Sequence, residues 1–132
     1  MPLDGVDVVA VEDSGTGCSA SLRAALQRVH PEASGIVLML GDQPRVEPAT
    51  VRQLVAEGSG RPIVVCRYDN GIGHPFWLSR ELFGELQLLH GDKGVWKLVE
   101  SGLHPVRELA VDGPIPLDVD TWDDYNRLME SL

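Results

Sequence analysis

The sequence predicts an α/β domain built on an open, mostly parallel sheet. Three observations carry this. Short apolar runs alternate with amphipathic stretches in the order β-α-β-α-β-α-α-β-β-α. The run Gly35–Leu40 (GIVLML) is continuously apolar, as expected of a parallel strand covered on both faces. The 132 residues, 43% hydrophobic and 23% charged, suit one globular domain. No repeat, low-complexity tract or linker divides the chain, so residues 1–132 read as a single domain.

Each element has its own signal. Val6–Val11 (VDVVAV) reads as a buried strand, followed by the glycine-rich turn Ser14–Gly17. Leu22, Ala25, Leu26 and Val29 form a helical stripe that ends at His30-Pro31, since a residue before proline disfavours helix. After Gly35–Leu40 the chain breaks at Gly41-Asp42-Gln43-Pro44. Pro48 then suits a helix's first turn, with Val51, Leu54 and Val55 on its apolar stripe. Pro62–Cys66 is a third strand, and Tyr68–Pro75, with three glycines, reads as a loop. Ser79 can cap a helix carrying Leu82, Phe83, Leu86 and Leu89. Gly91–Gly94 turns into a helix with Val95, Leu98 and Val99. Pro105–Val111 is a short strand, and Pro114–Val119 is extended by its prolines. Thr121-Trp122-Asp123-Asp124 has the form of a capping box before a last helix.

Composition excludes several functions. With 11 Lys+Arg against 20 Asp+Glu, the net charge is −9, which disfavours nucleic-acid and anionic-membrane partners. No apolar run approaches the roughly 20 residues of a membrane span. The first residues lack the charged start and apolar core of a signal peptide. Cys18 and Cys66 are too few for a disulfide framework, which points to a reducing cytoplasm.

Ligands of open α/β sheets bind in loops after the strands' carboxyl ends. That singles out Asp13–Ser19, Gly41–Arg45 and Arg67–Pro75. Asp42 reads either as a turn former or as a carboxylate placed to hold Mg²⁺ with a substrate phosphate. Alternation puts Asp118 and Asp120 on one side of an extended segment, where they serve a metal if they meet Asp42 in space. Asp123 and Asp124 suit a helix's first turn. Gly15–Ala20 matches G-x-G-x-x-A, with Asp42 lying 22 residues beyond Ala20. It reads as a dinucleotide loop or, more generally, as a phosphate-contacting helix start. Asn70–Pro75 reads as a ligand-facing loop or as a capped loop around a packed His74. Cys18 and Cys66 read as small buried thiols, and Trp77, Trp96 and Trp122 as packing residues. His30, His90 and His104 read as isolated surface residues.

Taken in order, several segments resemble the MobA-like nucleotidyltransferases, particularly the molybdenum cofactor cytidylyltransferase branch. They are Gly17–Leu26, the strand ending in Gly41-Asp42-Gln43-Pro44, Gly73-His74-Pro75, Gly91-Asp92-Lys93-Gly94 and Leu117–Thr121. The resemblance implies a Rossmann-like three-layer domain. It implies transfer of CMP or GMP from CTP or GTP to a phosphorylated, molybdopterin-type acceptor, with release of pyrophosphate. It also implies Asp42 as the catalytic Mg²⁺ ligand, with Asp118 or Asp120 as the second. Ser19, Leu22 and Arg23 would border the nucleotide. Gly73, His74, Pro75, Asp92 and Lys93 would face the acceptor. Two departures stand out. Val95 and Trp96 occupy positions where the family usually has alanine and arginine. Nothing before Val6 resembles the family's opening strand and Leu-Ala-Ala-Gly triphosphate loop. The expectation is therefore a chain missing its first βα unit, of at least ~30 residues, with an unpaired sheet edge open to self-association. Two further readings follow from the residues: a degenerate, non-catalytic nucleotide-binding or interaction module, and a nicotinamide-dinucleotide domain resting on Gly15–Ala20.

Overall fold

The protein's structure, a computed structural model, describes residues 8–9, 18–91 and 93–130. The strand expected at Val6–Val11 and the turn at Ser14–Gly17 therefore lie outside the described residues, apart from Val8 and Val9, which belong to no regular element.

Four strands form one sheet in the order β1-β3-β2-β4: β1 Gly35–Leu38, β2 Ile63–Tyr68, β3 Gly71–Ser79 and β4 Val106–Ala110. β4 pairs parallel to β2, while β3 runs antiparallel to both β1 and β2. Three strands thus point one way and β3 opposes them. The helices are α1 Cys18–Leu26, α2 Pro48–Gly58, α3 Phe83–Leu86, α4 Gly94–Glu100 and α5 Trp122–Glu130. α1 ends four residues before the expected His30 stop, its last carbonyls closing turns with Arg28 and Val29.

Two expectations about the sheet need correction. The region expected as a loop, Tyr68–Pro75, is a two-residue hairpin turn at Asp69-Asn70 followed by the buried strand β3. Asn70-Gly71 is a strong short-range hairpin signal, and Gly71 takes φ +138, which a side chain would oppose. Pro75 sits where the β2–β3 register shifts, a place where a missing N–H breaks no ladder bond. The run Gly35–Leu40 forms strand only to Leu38, pairs antiparallel rather than parallel, and is half-buried. Its partner is the Phe76–Ser79 end of the reversed strand β3.

Alternation along β2 builds a core on each face. Ile63 and Val65 join Leu22, Leu26, Phe76, Leu78, Leu82, Leu86 and Leu98 under α1, α3 and α4. Val64, Cys66 and Tyr68 join Leu54 and Trp77 on the α2 side. This is a three-layer α/β arrangement in which each fully buried Leu or Phe stabilises by about 1.5–3 kcal/mol. Trp77 donates Nε1–H to the Arg61 carbonyl at 3.0 Å and lies flat against Gly58 of α2 and Gly35 of β1. A Cβ at either glycine would overlap the indole ring.

Burial raises the Cys66 thiol from an ordinary 9.0 to about 11 and the Tyr68 phenol from 10.0 to about 12. Both groups ionise more easily unfolded than folded. Stability is therefore complete below pH 8.5 and declines as pH rises toward 11. In a Cys18→Ser background, Cys66 should resist iodoacetamide at pH 8 until urea unfolds the chain. Modification at the unfolded rate in native buffer would contradict its burial. Gly58→Ala should lower stability by about 1–3 kcal/mol through overpacking against Trp77, although alanine is the better helix former by about 1 kcal/mol. A urea midpoint equal to or above wild type would show that the indole yields.

Candidate metal centre

Asp42 follows β1 in a turn where Gln43 N–H donates to the Leu40 carbonyl at 3.2 Å. Asp118 and Asp120 come from the extended segment between β4 and α5. The hairpin tip guides that segment. Asp69 N–H donates to the Gly113 carbonyl at 2.9 Å, and the Asn70 side-chain oxygen accepts from Ile115 N–H at 2.8 Å. Val119 N–H then donates to the Asp42 carbonyl at 2.7 Å, joining the two loops. One carboxylate oxygen from each of Asp42, Asp118 and Asp120 lies within 4.8 Å of the others. The meeting in space that sequence alone left open is thus present.

Two neighbours fix these carboxylates. Gln43 is buried, and its Nε2 donates to Asp118 Oδ1 at 2.8 Å. Its Oε1 is buried with no partner among the described residues. The Thr121–Asp124 capping box forms as expected. Asp124 Oδ2 accepts from the Asp120 and Thr121 N–H groups at 3.2 and 3.3 Å, and Asp124 N–H donates to Thr121 Oγ1 at 3.1 Å. Asp120 is held above the usual carboxylate range, chiefly by its hydrogen bond with Asp42, with Asp118 and Asp124 repelling in the same sense. Asp124 is pulled below that range by the backbone donors it caps.

The donor set suits a hard divalent cation. Three carboxylates present only oxygen, the chemistry that Mg²⁺ and Mn²⁺ take. The orphaned Gln43 Oε1 lies on the side chain that holds Asp118. A groove of about 590 Å³ opens on the Asp118 side, lined by Val46, Tyr68, Ile115, Leu117 and Leu128 among others.

The other expected site residues are placed differently. Gly73, His74 and Pro75 are not in a ligand-facing loop but buried in β3, where a Cβ at Gly73 would press on Ile115. His74 stacks on Phe76 at 4.2 Å and meets Trp96 edge-on at 5.8 Å. Desolvation holds its imidazole below the ordinary 6.5, partly offset by Asp118 and Asp42. Leu22 is a core residue, so it offers almost no surface to a nucleotide. Ser19 is also buried, and its Oγ donates to the Gly91 carbonyl at 2.6 Å, while Arg23 Nη1 donates to the Leu89 carbonyl. These two tie α1 to the loop before α4. Lys93 is exposed at the start of α4, and Asp92 lies outside the described residues. So does the Gly15–Gly17 part of the dinucleotide-like loop. His104 is not isolated, since its Nε2 lies 2.6 Å from Glu85 Oε2. Trp122 is not a packing residue, being 79% exposed.

Because folded His74 binds its proton less readily than unfolded His74, stability should fall as pH drops below about 6.5. A His74→Gln variant should lose less stability between pH 7.5 and 5 than wild type in urea titrations. An identical loss would assign the acid slope to other groups.

No helix among the described residues is long and apolar enough to cross a membrane. Solved structures similar to this chain share its fold. Rv0371c from Mycobacterium tuberculosis H37Rv, in complex with manganese, is 68% identical with a TM-score of 0.88, and the match covers 100% of this chain and 70% of that one. A homolog of Rv0371c from Mycobacterium sp. strain JC1 is 62% identical with a TM-score of 0.89, over 98% of this chain and 66% of that one. Molybdopterin-guanine dinucleotide biosynthesis protein A from Archaeoglobus fulgidus shares the fold at 17% identity and a TM-score of 0.58, over 88% of this chain and 64% of that one. No curated protein matches the chain. The pattern of the MobA-like NTP transferase domain matches residues 1–107, most of the chain, and the chain belongs to that family.

Proposed function

We propose that this chain carries the metal-binding residues of a nucleotidyltransferase site. The reaction moves CMP or GMP from CTP or GTP to a phosphorylated acceptor of molybdopterin type, with pyrophosphate leaving. The observation that carries this reading is the convergence of Asp42, Asp118 and Asp120 at the carboxyl end of β1 in a MobA-like domain. The manganese complex of the 68% identical Rv0371c supports a divalent ion.

A bound Mg²⁺ supplies charge neutralisation and alignment for in-line displacement at the α-phosphate. The residues of the chain do the positioning. Asp42, braced by Val119 N–H on its own carbonyl, and Asp118, braced by Gln43, would hold the ion. Asp120 completes the ligand set from the cap of α5. Ser19 and Leu22 act on the nucleotide side by fixing α1, and Arg23 lies on the same helix. His74, buried in β3 between Gly73 and Pro75, lies close enough to feel the charges of Asp118 and Asp42, and Asp92 and Lys93 would serve the acceptor.

Calorimetric titration with Mn²⁺ and Mg²⁺, paired with pyrophosphate release from CTP and GTP in the presence of a phosphorylated pterin acceptor, tests this. Wild type should bind one ion. Asp42→Asn should abolish binding. Gln43→Ala should weaken it about 10–100-fold, the usual effect of removing a partner that orients a ligand. Unchanged Mn²⁺ affinity in Asp42→Asn would overturn the assignment.

A further inference from the structure

Trp122 is the least expected surface residue of the molecule. Its indole is 79% exposed at the first turn of α5, a helix that buries none of its residues. It is nonetheless held. Tyr125 meets it edge to face at 5.6 Å and 84°, leaving a broad aromatic face open. Both rings, with Val119, Asp120 and Thr121, line a hollow of about 400 Å³. Asp120 belongs at once to that hollow and to the carboxylate cluster. The cap that fixes the Asp120 backbone also starts the helix that carries the ring, so metal ligand and indole keep one relative placement.

From this juxtaposition we propose that Trp122 is a stacking platform for the planar heteroaromatic ring of a phosphorylated substrate whose phosphate engages the cation at Asp42, Asp118 and Asp120. This rests on the reading above and adds a specificity residue to it. A protein partner covering the same hollow would have to strip water from the Asp120 carboxylate with nothing to neutralise it, which is costly. A metal-bound phosphate ester brings its own cation to that carboxylate and its own flat ring to the indole. Stacking on an aromatic side chain tolerates any base, because every base presents a π-face. The ring can therefore belong to the nucleotide donor or to a heterocyclic acceptor.

Intrinsic fluorescence reads the platform directly. Trp77 is buried and Trp96 half-buried, so the solvent-exposed emission belongs to Trp122. Affinities of wild type, Asp42→Asn, Trp122→Ala and Trp122→Phe would be measured by calorimetry in Mg²⁺ with CTP, GTP, a phosphorylated pterin and, as a ringless control, tripolyphosphate, with the exposed emission followed in the proteins that keep Trp122. The expected result is quenching of the exposed emission by a ring-bearing ligand. Trp122→Ala should weaken that ligand about ten-fold, Trp122→Phe should restore most of the affinity, and tripolyphosphate should bind both equally. Preference for CTP or GTP assigns the donor ring to the platform, and preference for the pterin assigns the acceptor ring. Unchanged affinity of every ring-bearing ligand in Trp122→Ala overturns the platform. If tripolyphosphate binding is still lost in Asp42→Asn, the nucleotidyltransferase reading survives that result. Absence of all binding to wild type overturns both. A concentration-dependent blue shift without ligand overturns the platform in favour of a second copy covering the ring.

Discussion

The hairpin formed by β2 and β3 is the constraint on which the rest of the structure depends. Both strands are buried on both faces, so nearly every other element is positioned by packing against them. β1 docks on one side through β3 and β4 on the other through β2. The tip of the same hairpin, at Asp69 and Asn70, bonds the backbone at Gly113 and Ile115 and so sets the course of the segment that delivers Asp118 and Asp120. A reversed strand in the middle of an otherwise one-way sheet thus links the core to the site.

The site itself is an arrangement that electrostatics alone would scatter. Three carboxylates stand within 4.8 Å, and like charges so placed repel. They stay together because hydrogen bonds hold the chain on either side of them. Val119 N–H binds the Asp42 carbonyl, Gln43 Nε2 binds the Asp118 carboxylate, and Asp124 caps the backbone at Asp120 and Thr121. Backbone bonds and an amide can carry this load without adding a positive charge to the ligand set. The cap of α5 and the bond from Val119 to Asp42 explain how a segment far along the chain reaches the end of β1.

Much of this was legible in sequence. The helix starts at Pro48 and Ser79, the strand over Val106–Ala110 and the T-x-x-D cap were readable because each rests on local chemistry. Asp42 and the Asp118–Asp120 pair were legible as candidates through strand-end position and alternation. Their meeting was not, because it depends on a non-local bond from Val119 to Asp42. β3 was misread because its glycines and proline outweighed the Asn-Gly turn and the apolar run Phe76–Leu78 that follows. Its burial on both faces is a property of neighbours rather than of its own composition. The burial of Leu22 is hidden for the same reason, since a core stripe and a pocket lining look alike along one helix. Gln43 escaped notice because no spacing rule marks a neutral side chain as the brace of a carboxylate.

If the ring of three carboxylates binds a cation as proposed, the protein's thermal behaviour becomes a gauge of its ionic surroundings. A cation that binds the folded ring but not the unfolded chain adds RT ln(1 + [L]/Kd) to stability, about 2.7 kcal/mol at a hundredfold excess over Kd. Because the ring joins the turn after β1 to the cap of α5, that increment falls on the junction between the sheet and its last helix, which otherwise has no buried residue of its own. Removing such a cation would therefore withdraw that increment where the turn after β1 meets the start of α5.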